Sequence, residues 1–596
     1  MTKCDSLPIQ ENFIKNKTKL NDKKNFILLS LWIIIGGFLR FHQLTSKSPW
    51  TDEFATLVFS LGNNFTSIPL NQIISSETLL QPLQINPSAG ISDVVNLLLN
   101  EDNHPPLYFV LLHLWLNLFC SSGETVNLWA GRALPVLFGI LAIPAFYFVT
   151  KNIFRSSLIA HLSALLIAVS PYSIFISQEA RHYTCAVFLV ILSLGCFLKA
   201  AQYLASRKKL PWSLILGWII INGIGLSVHF FFGLAFLAEV MSLSILYISQ
   251  LRKDNDKNKS LKHWYSFLWV ILGTGTTILA WLIIISQREY GNGMTQWIQQ
   301  DNSNIIRFIS PIFQLTAAWV TMLCLLPIES PNLAIAILSG LGMIIYLIWY
   351  IPMIKWGLLQ GGKTEKFFLE TRMIVYFFIS LVILYLGITY FGGKDITRGA
   401  RYSFVYLPVI TFLLTIVFSV CWQQKTVSFN ADFSLKSFLY MVKNNGKVIV
   451  CLVSLMGIVS SLSIAHNLGY RKYYNPTQFL DILQANYKVP SLIATTQQSL
   501  VQTGEMMGLA WELEQNRAIT KNLKPDFLLI HQKQENSPET TQKLKSILQE
   551  KNQPLDVWTV NFHAKVDLPN CSLEQQSFPG VNGYDYRLYH CQSLSQ

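Results

Sequence analysis

The amino-acid sequence predicts an all-α polytopic membrane protein of about eleven membrane-spanning helices, with interfacial helices among them and a small C-terminal α/β domain outside the bilayer. Three observations predict it. Of the 596 residues 51% are hydrophobic and only 13% are charged, against roughly 25% charged in soluble domains, and mean hydropathy is +0.36. Lysine and arginine gather in short stretches between apolar runs. Beyond residue 470 the chain turns polar and no further span follows.

The apolar runs lie near 26–44, 128–150, 157–176, 183–204, 211–229, 231–250, 264–286, 332–354, 367–391, 402–422 and 447–466. Each approaches the ~20 residues that a bilayer requires. No small-residue cleavage site follows the first, so it reads as a retained helix and not a signal peptide. Two further runs, 105–120 and 312–327, are short for a span and suit interfacial helices. No internal repeat or low-complexity tract is evident.

Charge orients the chain. The N-terminus holds Lys15, Lys17, Lys19, Lys23 and Lys24, which places it in the cytoplasm. If neither short run crosses, the loops with Lys151/Arg155, Arg207/Lys208/Lys209, Arg252/Lys253/Lys257/Lys259/Lys262, Lys363/Lys366 and Lys443/Lys447 all fall inside. If both cross, the first three of these loops move outside, against the positive-inside bias. The net charge of +13 is therefore a topology signal and not a nucleic-acid footprint. The expected divisions are a cytoplasmic segment 1–25, a membrane domain 26–469 with an outer loop 45–127, and an extracytoplasmic domain 470–596.

In that last domain, Ser491 to Thr495, Asp526 to His531, Leu555 to Val560 and Tyr584 to His590 read as strands. Segments near 497–516 and 539–551 read as helices. Cys571 and Cys591 are its only cysteines, and an exported domain suits a disulfide, with two free thiols as the alternative. The other cysteines lie in or near spans, except Cys4, and read as packing residues.

The outer side then collects costly charge: Asp52 and Glu53, Asp102 and His104, Glu179 and Arg181, His229, the loop 287–311 with Arg288, Glu289 and Arg307, and Lys394, Arg398 and Arg401. Acidic residues at the ends of spans are expensive unless they have work to do. Four stretches come in order: Trp50-Thr-Asp-Glu53, His104-Pro-Pro-Leu-Tyr108, Arg132-Ala-Leu-Pro135 and Ser177-Gln-Glu-Ala-Arg-His-Tyr183. This series resembles the bacterial GT-C glycosyltransferases of the family-39 kind, similar to protein O-mannosyltransferases and lipid A aminoarabinose transferases. The likeness is motif by motif over about the first 250 residues and architectural after that.

The resemblance implies a GT-C-like fold in a bacterial plasma membrane. It implies an inverting transfer, outside the membrane, of a sugar from a polyprenyl-phosphate donor to an acceptor glycolipid, protein or envelope glycan. Asp52 is the implied base, since a hydroxyl is a poor nucleophile until a carboxylate takes its proton. Glu53 would orient the acceptor or cap the helix. Glu179 would hold the acceptor, orient the sugar or pair with Arg181, which together with Tyr183 belongs to the substrate site. The departing phosphate gathers negative charge, and arginine meets phosphate well. Arg401, in the Arg401-Tyr402 pair, is the first candidate, while Lys394 and Arg398 divide between phosphate contact and interfacial snorkelling. His104 would touch phosphate or sugar or serve the backbone, and His229 would contact a metal or phosphate or be structural. No Asp-x-Asp pair settles whether a divalent metal takes part. A transporter or flippase of lipid-linked sugar is the alternative, disfavoured by acids that sit at helix ends and by the lack of repeats.

Overall fold

The computed structural model describes residues 8–119, 123–253, 262–286, 297–299, 304–361, 368–423, 446–515, 523–533, 537–550 and 554–592. Cys4, Lys257, Lys259, Arg288, Glu289, Lys363, Lys366 and Lys443 lie outside the described residues, as do the side chains of Lys15, Lys17, Lys19 and Lys253. In chain order the membrane part runs α1 (Pro8–Phe41), α2 (Thr51–Ser60), β1 (Ile73–Ile74), α3 (Ser76–Leu80), α4 (Ile91–Glu101), α5 (Leu107–Leu116), α6 (Leu128–Phe154), α7 (Ser157–Val169), α8 (Pro171–Ser177), α9 (Tyr183–Ala205), α10 (Trp212–Val228) and α11 (Phe232–Lys253). It continues with α12 (Tyr265–Ser286), α13 (Ile305–Leu323), α14 (Leu333–Gly361), α15 (Phe368–Phe391), α16 (Tyr406–Gln423) and α17 (Gly446–Ala465). The tail follows with α18 (Pro476–Ala485), β2 (Ser491–Gln497), α19 (Leu500–Gln515), β3 (Asp526–His531), α20 (Pro538–Gln549), β4 (Leu555–Val560), β5 (Cys571–Leu573) and β6 (Tyr586–Cys591).

Among the described residues, 10 helices are long and apolar enough to cross a membrane, or 11 with α7 and α8 taken as one span bent by 55°. The bend has a clear cause. Ser170 ends α7 and caps α8, accepting from the Ser173 amide, and Pro171 opens α8. A proline fits the first turn of a helix but cannot continue the helix before it. The break frees carbonyls at the end of α7, which a membrane helix must satisfy within the protein. Arg40, in the last turn of α1, donates to Ile167 O at 2.9 Å and Ala168 O at 3.0 Å. Ser461 of α17 donates to Val169 O at 3.0 Å. Another buried polar group ties α9, α10 and α11, where Ser193 donates to Glu239 at 2.8 Å and Trp218 Nε1 lies 3.0 Å from the Ser193 hydroxyl.

The short run near 105–120 forms α5, a helix of 10 residues, about 15 Å long and too short to cross. The run near 312–327 falls on α13, whose 19 residues have the length and apolarity of a span. Phe308 O accepts from Tyr390 at the end of α15 (2.9 Å), Gln314 accepts from Thr397 (2.8 Å), and Thr321 meets Tyr470. These three partners lie at the end where the tail sits, whereas Trp319 packs against Phe378 in the middle of α15, with 5.0 Å between ring centroids.

The tail caps the same end. Its sheet has the order β1-β3-β2-β4-β6-β5. Strand β2 pairs parallel with β3 and β4, while β4–β6 and β5–β6 are antiparallel. Because side chains alternate across a strand, Leu492, Ala494, Leu528, Ile530 and Val557 face the α20 side, packed with Leu544 and Ile547. Ile493, Phe527, Leu529 and Trp558 join the main core on the other face. That double burial explains why β2, β3 and β4 read as nearly continuous apolar runs. Cys571 and Cys591, opposite each other in β5 and β6, are joined as a disulfide. Strand β1 comes from the long loop before α4 and pairs antiparallel with the edge of β3, Ile73 opposite Leu528 and Ile74 opposite Phe527.

Candidate active site

Helix α2 begins at the capped end, with Glu53 N and Phe54 N bonded to Trp50 O. Its first turn carries Asp52 and Glu53, where the helix dipole favours negative charge. Neighbouring residues point about 100° apart around a helix, and here the two carboxylates part company. Asp52 keeps 28% of its side chain exposed, whereas Glu53 is fully buried at 0%.

Glu53, expected to orient the acceptor or cap the helix, is enclosed by protein partners. Arg132 of α6 grips it with Nε on Oε1 at 2.8 Å and Nη2 on Oε2 at 2.9 Å. The amide of Ala180 adds a bond at 2.8 Å and Lys472 Nζ approaches at 3.3 Å. Burial alone would raise this carboxyl, but Arg132 first and Lys472 next outweigh it and hold it down at about 2. The remaining Arg132 nitrogen donates to Leu44 O and Lys47 O, both at 2.8 Å, closing the connection between α1 and α2 over α6.

Glu179, in the turn between α8 and α9, is also buried, at 2% exposure. Its partner is Lys472 of the tail and not Arg181. Lys472 lies over the Trp50 ring at 5.3 Å. Lys47 completes this buried group, donating to Ile464 O. Burial, then Lys472 and Arg132, push its amine down to about 7, against a smaller opposite pull from Glu179 and Glu53.

Asp52 faces two arginines. Arg401 Nη2 lies 3.3 Å from Oδ2 and Arg181 Nη2 lies 3.7 Å from the same oxygen. Arg401 lies over three rings, its Cζ 4.5 Å from the centroid of Trp50, 5.4 Å from Trp297 and 5.3 Å from Tyr402. Such stacking suits a planar guanidinium. Arg181 donates to Asp52 O at 3.0 Å and Thr56 Oγ1 at 2.7 Å, with the Tyr183 ring at 5.7 Å. Its Nη2 meets His104 Nε2 at 3.1 Å, and His104 Nδ1 meets Asp102 Oδ1 at 2.8 Å. Both ring nitrogens of His104 are thus engaged by protein.

The other expected contacts fall elsewhere. Arg398 donates to Trp297 O at 2.7 Å and pairs with Asp395 at 3.3 Å, and Lys394 bridges Gln299 through the backbone. These two residues hold the strip 297–299, and so Trp297, against the loop that carries Arg401. His229 caps α10 and accepts from Phe231 N at 3.0 Å. It packs against His182 (4.7 Å between centroids), Tyr183 (5.7 Å) and Phe404 (4.8 Å). Burial pushes the His229 ring well below its ordinary value, and it stands as a neutral wall. Among the described residues no group of three His, Cys, Asp or Glu is placed to hold a metal ion.

Sequence reading missed Lys472, Trp297, the contacts of the Trp50 ring with Arg401 and Lys472, and the partnership of Asp102 with His104. One signal for Lys472 was available: Arg471 and Lys472 follow the last span at once, on the side opposite the lysine-rich N-terminus.

Residues 102–290 match the family described as dolichyl-phosphate-mannose-protein mannosyltransferase. No curated protein matches the chain. Among solved structures the chain is similar to ArnT from Cupriavidus metallidurans bound to undecaprenyl phosphate, at 11% identity and a TM-score of 0.47, covering 94% of this chain and 97% of that one. It is also similar to the apo oligosaccharyltransferase of Archaeoglobus fulgidus, at 14% identity and a TM-score of 0.40, covering 82% of this chain and 64% of that one. The S. cerevisiae protein O-mannosyltransferase Pmt1–Pmt2 complex bound to the sugar donor matches at 16% identity and a TM-score of 0.30, over 48% and 37%. The matched family segment contains His104, Arg132, Glu179, Arg181 and His229; Asp52 precedes it and Arg401 follows it. The match bears out the expected kind of protein, a many-spanning membrane glycosyltransferase, and it does not favour the flippase alternative.

Proposed function

We propose that this glycosyltransferase moves a sugar from a polyprenyl-phosphate donor to a hydroxyl acceptor at the capped end of its helix bundle, with Asp52 as general base and Arg401 as the cation for the leaving phosphate. The observation that carries this reading is the placement of a part-exposed carboxylate beside a ring-stacked arginine at the end of a span. The acceptor O–H attacks the anomeric carbon while Asp52 takes its proton. The bond from that carbon to the phosphate oxygen breaks on the opposite face, and the electron pair leaves with the phosphate. Arg401, partly dehydrated by its rings, stabilises that charge. Attack and departure on opposite faces invert the anomeric centre. They also require the 3.3 Å contact between Asp52 and Arg401 to open, because the sugar must stand between them.

The capped end faces away from the cytoplasm in this reading, since the lysine-rich N-terminus starts at the other end of α1. The membrane is a bacterial plasma membrane, and residues 470–596 act as an extracytoplasmic unit that takes part in acceptor choice. Glu179 acts by anchoring Lys472, not as a base. In purified enzyme given lipid-linked sugar, Asp52→Asn is expected to lose about 10²–10⁴-fold in turnover while keeping its melting temperature. Near-wild-type turnover of that variant would remove Asp52 from the role of base.

A further inference from the structure

We infer that His104, its Nδ1 proton directed to Asp102, is a positioning residue that holds Arg181 back from the carboxylate of Asp52. This rests on the reading of Asp52 as the base.

The tautomer follows from proton counting. A guanidinium can only donate. At the 3.1 Å contact with Arg181 Nη2, His104 Nε2 must therefore accept, which leaves the single ring proton on Nδ1. That proton points at Asp102 Oδ1, 2.8 Å away. Asp102 is suited to receive it: it is buried, and the Asn103 amide fixes the same oxygen at 2.6 Å. The pattern is that of a carboxylate setting which nitrogen of a histidine faces its working partner.

Arg181 has two claimants for its Nη2. His104 takes a normal hydrogen bond at 3.1 Å, while Asp52 Oδ2 is left at 3.7 Å. A full charge-assisted bond would be about 2.7–2.9 Å. The other terminal nitrogen is tied to Asp52 O and to Thr56 Oγ1, which itself donates to Asp52 O at 2.9 Å. Arg181 thus fixes the backbone of Asp52 without closing on its carboxylate. Without an acceptor at the Nε2 position, Nη2 would turn to Asp52, and a closer cation makes a weaker base.

The groups that face His104 are Asp102 from the end of α4, Arg181 and His182 from the turn between α8 and α9, and the Phe109 ring of α5. His229 stands behind His182, and Tyr108 packs on His182 from α5. Burial keeps His182 and His229 neutral. The charges in play are accordingly Asp102, Arg181 and, beyond it, Asp52, whose Oδ2 also has Arg401 Nη2 at 3.3 Å.

The test uses full-length enzyme in detergent with saturating acceptor and a polyprenyl-phosphate sugar, comparing wild type, His104→Ala, His104→Asn, His104→Gln and Asp52→Asn across pH. A Gln amide reaches the Nε2 position and can accept from Arg181, whereas an Asn amide reaches only the Nδ1 position. His104→Ala and His104→Asn are expected to lose roughly tenfold or more in kcat, the scale seen when a supporting partner is removed. The KM for donor should stay unchanged, and His104→Gln should restore kcat. If all three substitutions fall equally, or if the donor KM rises instead, His104 is a packing or substrate-contact residue and the inference fails. If Ala destroys the fold, the Asn and Gln pair still decides it, since only one keeps the acceptor. Full turnover by Asp52→Asn would instead overturn the reading of the base, an outcome separate from those of the His104 series.

Discussion

Glu53 and Arg132 face each other through two parallel hydrogen bonds of 2.8 and 2.9 Å, and neither side chain has any exposed surface. They are 79 residues apart in the chain. Breaking such a pair strands a charge where water cannot reach it. Glu53→Gln and Arg132→Met are each expected to cost about 3–5 kcal/mol, read as a lower melting temperature in detergent; Arg132→Met leaves the buried carboxylate only the Ala180 amide and Lys472. The pH dependence follows from the depressed carboxyl. With Glu53 held at about 2 against an ordinary 4.5, its contribution is fully present above 4.5 and is lost as pH falls through 2. Glu53→Gln should flatten the melting-temperature profile in that window, and an unchanged slope would contradict the assignment.

Arg401 tests the leaving-group side. Arg401→Ala should lower kcat by about 10²–10³-fold, the usual cost of removing one stabilising donor. Arg401→Lys keeps the charge but gives up the planar fork and its seat among Trp50, Trp297 and Tyr402. It should fall between wild type and Ala. A Lys variant as active as wild type would mean that charge alone matters there.

The contact between Lys472 and Glu179 joins the tail to the turn between α8 and α9. Lys472→Ala leaves Glu179 buried without its cation, so both thermal stability and turnover should drop. Adding Glu179→Gln removes the stranded charge and should recover stability, with a coupling energy of about 1–3 kcal/mol in a double-mutant cycle. Strict additivity of the two changes would show that the residues do not depend on each other.

Arg40 offers a test of the bent span. Its guanidinium closes carbonyls freed where α7 gives way to α8. Arg40→Met should lower stability by about 1–3 kcal/mol for each orphaned carbonyl, without a direct effect on donor KM. Limited proteolysis and melting curves would report the loss.

Much of this arrangement could be read from the chain, and what escaped did so for physical reasons. Apolar length marks spans because the bilayer sets a thickness, which is why the runs on α6, α9 and α16 were legible. Length cannot separate crossing from lying flat, so α13 had to be assigned from charge in the other loops. Asp52 and Glu53 share a sequence context, and their division depends on the remote partners Arg132 and Arg401. The same holds for Arg398 and Arg401: three positions apart, one bonds to Trp297 O and the other to Asp52. Strand β1 escaped because two residues carry no periodicity, and its strandness comes entirely from the β3 edge.

That edge strand bears on any attempt to graft specificity between relatives. Asn71 holds Leu529 O through its amide at 2.8 Å and the His531 amide through its side chain at 3.1 Å, beside the Ile73–Ile74 pairing. A chimera that exchanges only residues 470–596 would bring a foreign β3 against this native loop and a foreign residue against Glu179. The unit that can be transplanted is therefore discontinuous: the tail together with the loop segment around residues 71–74.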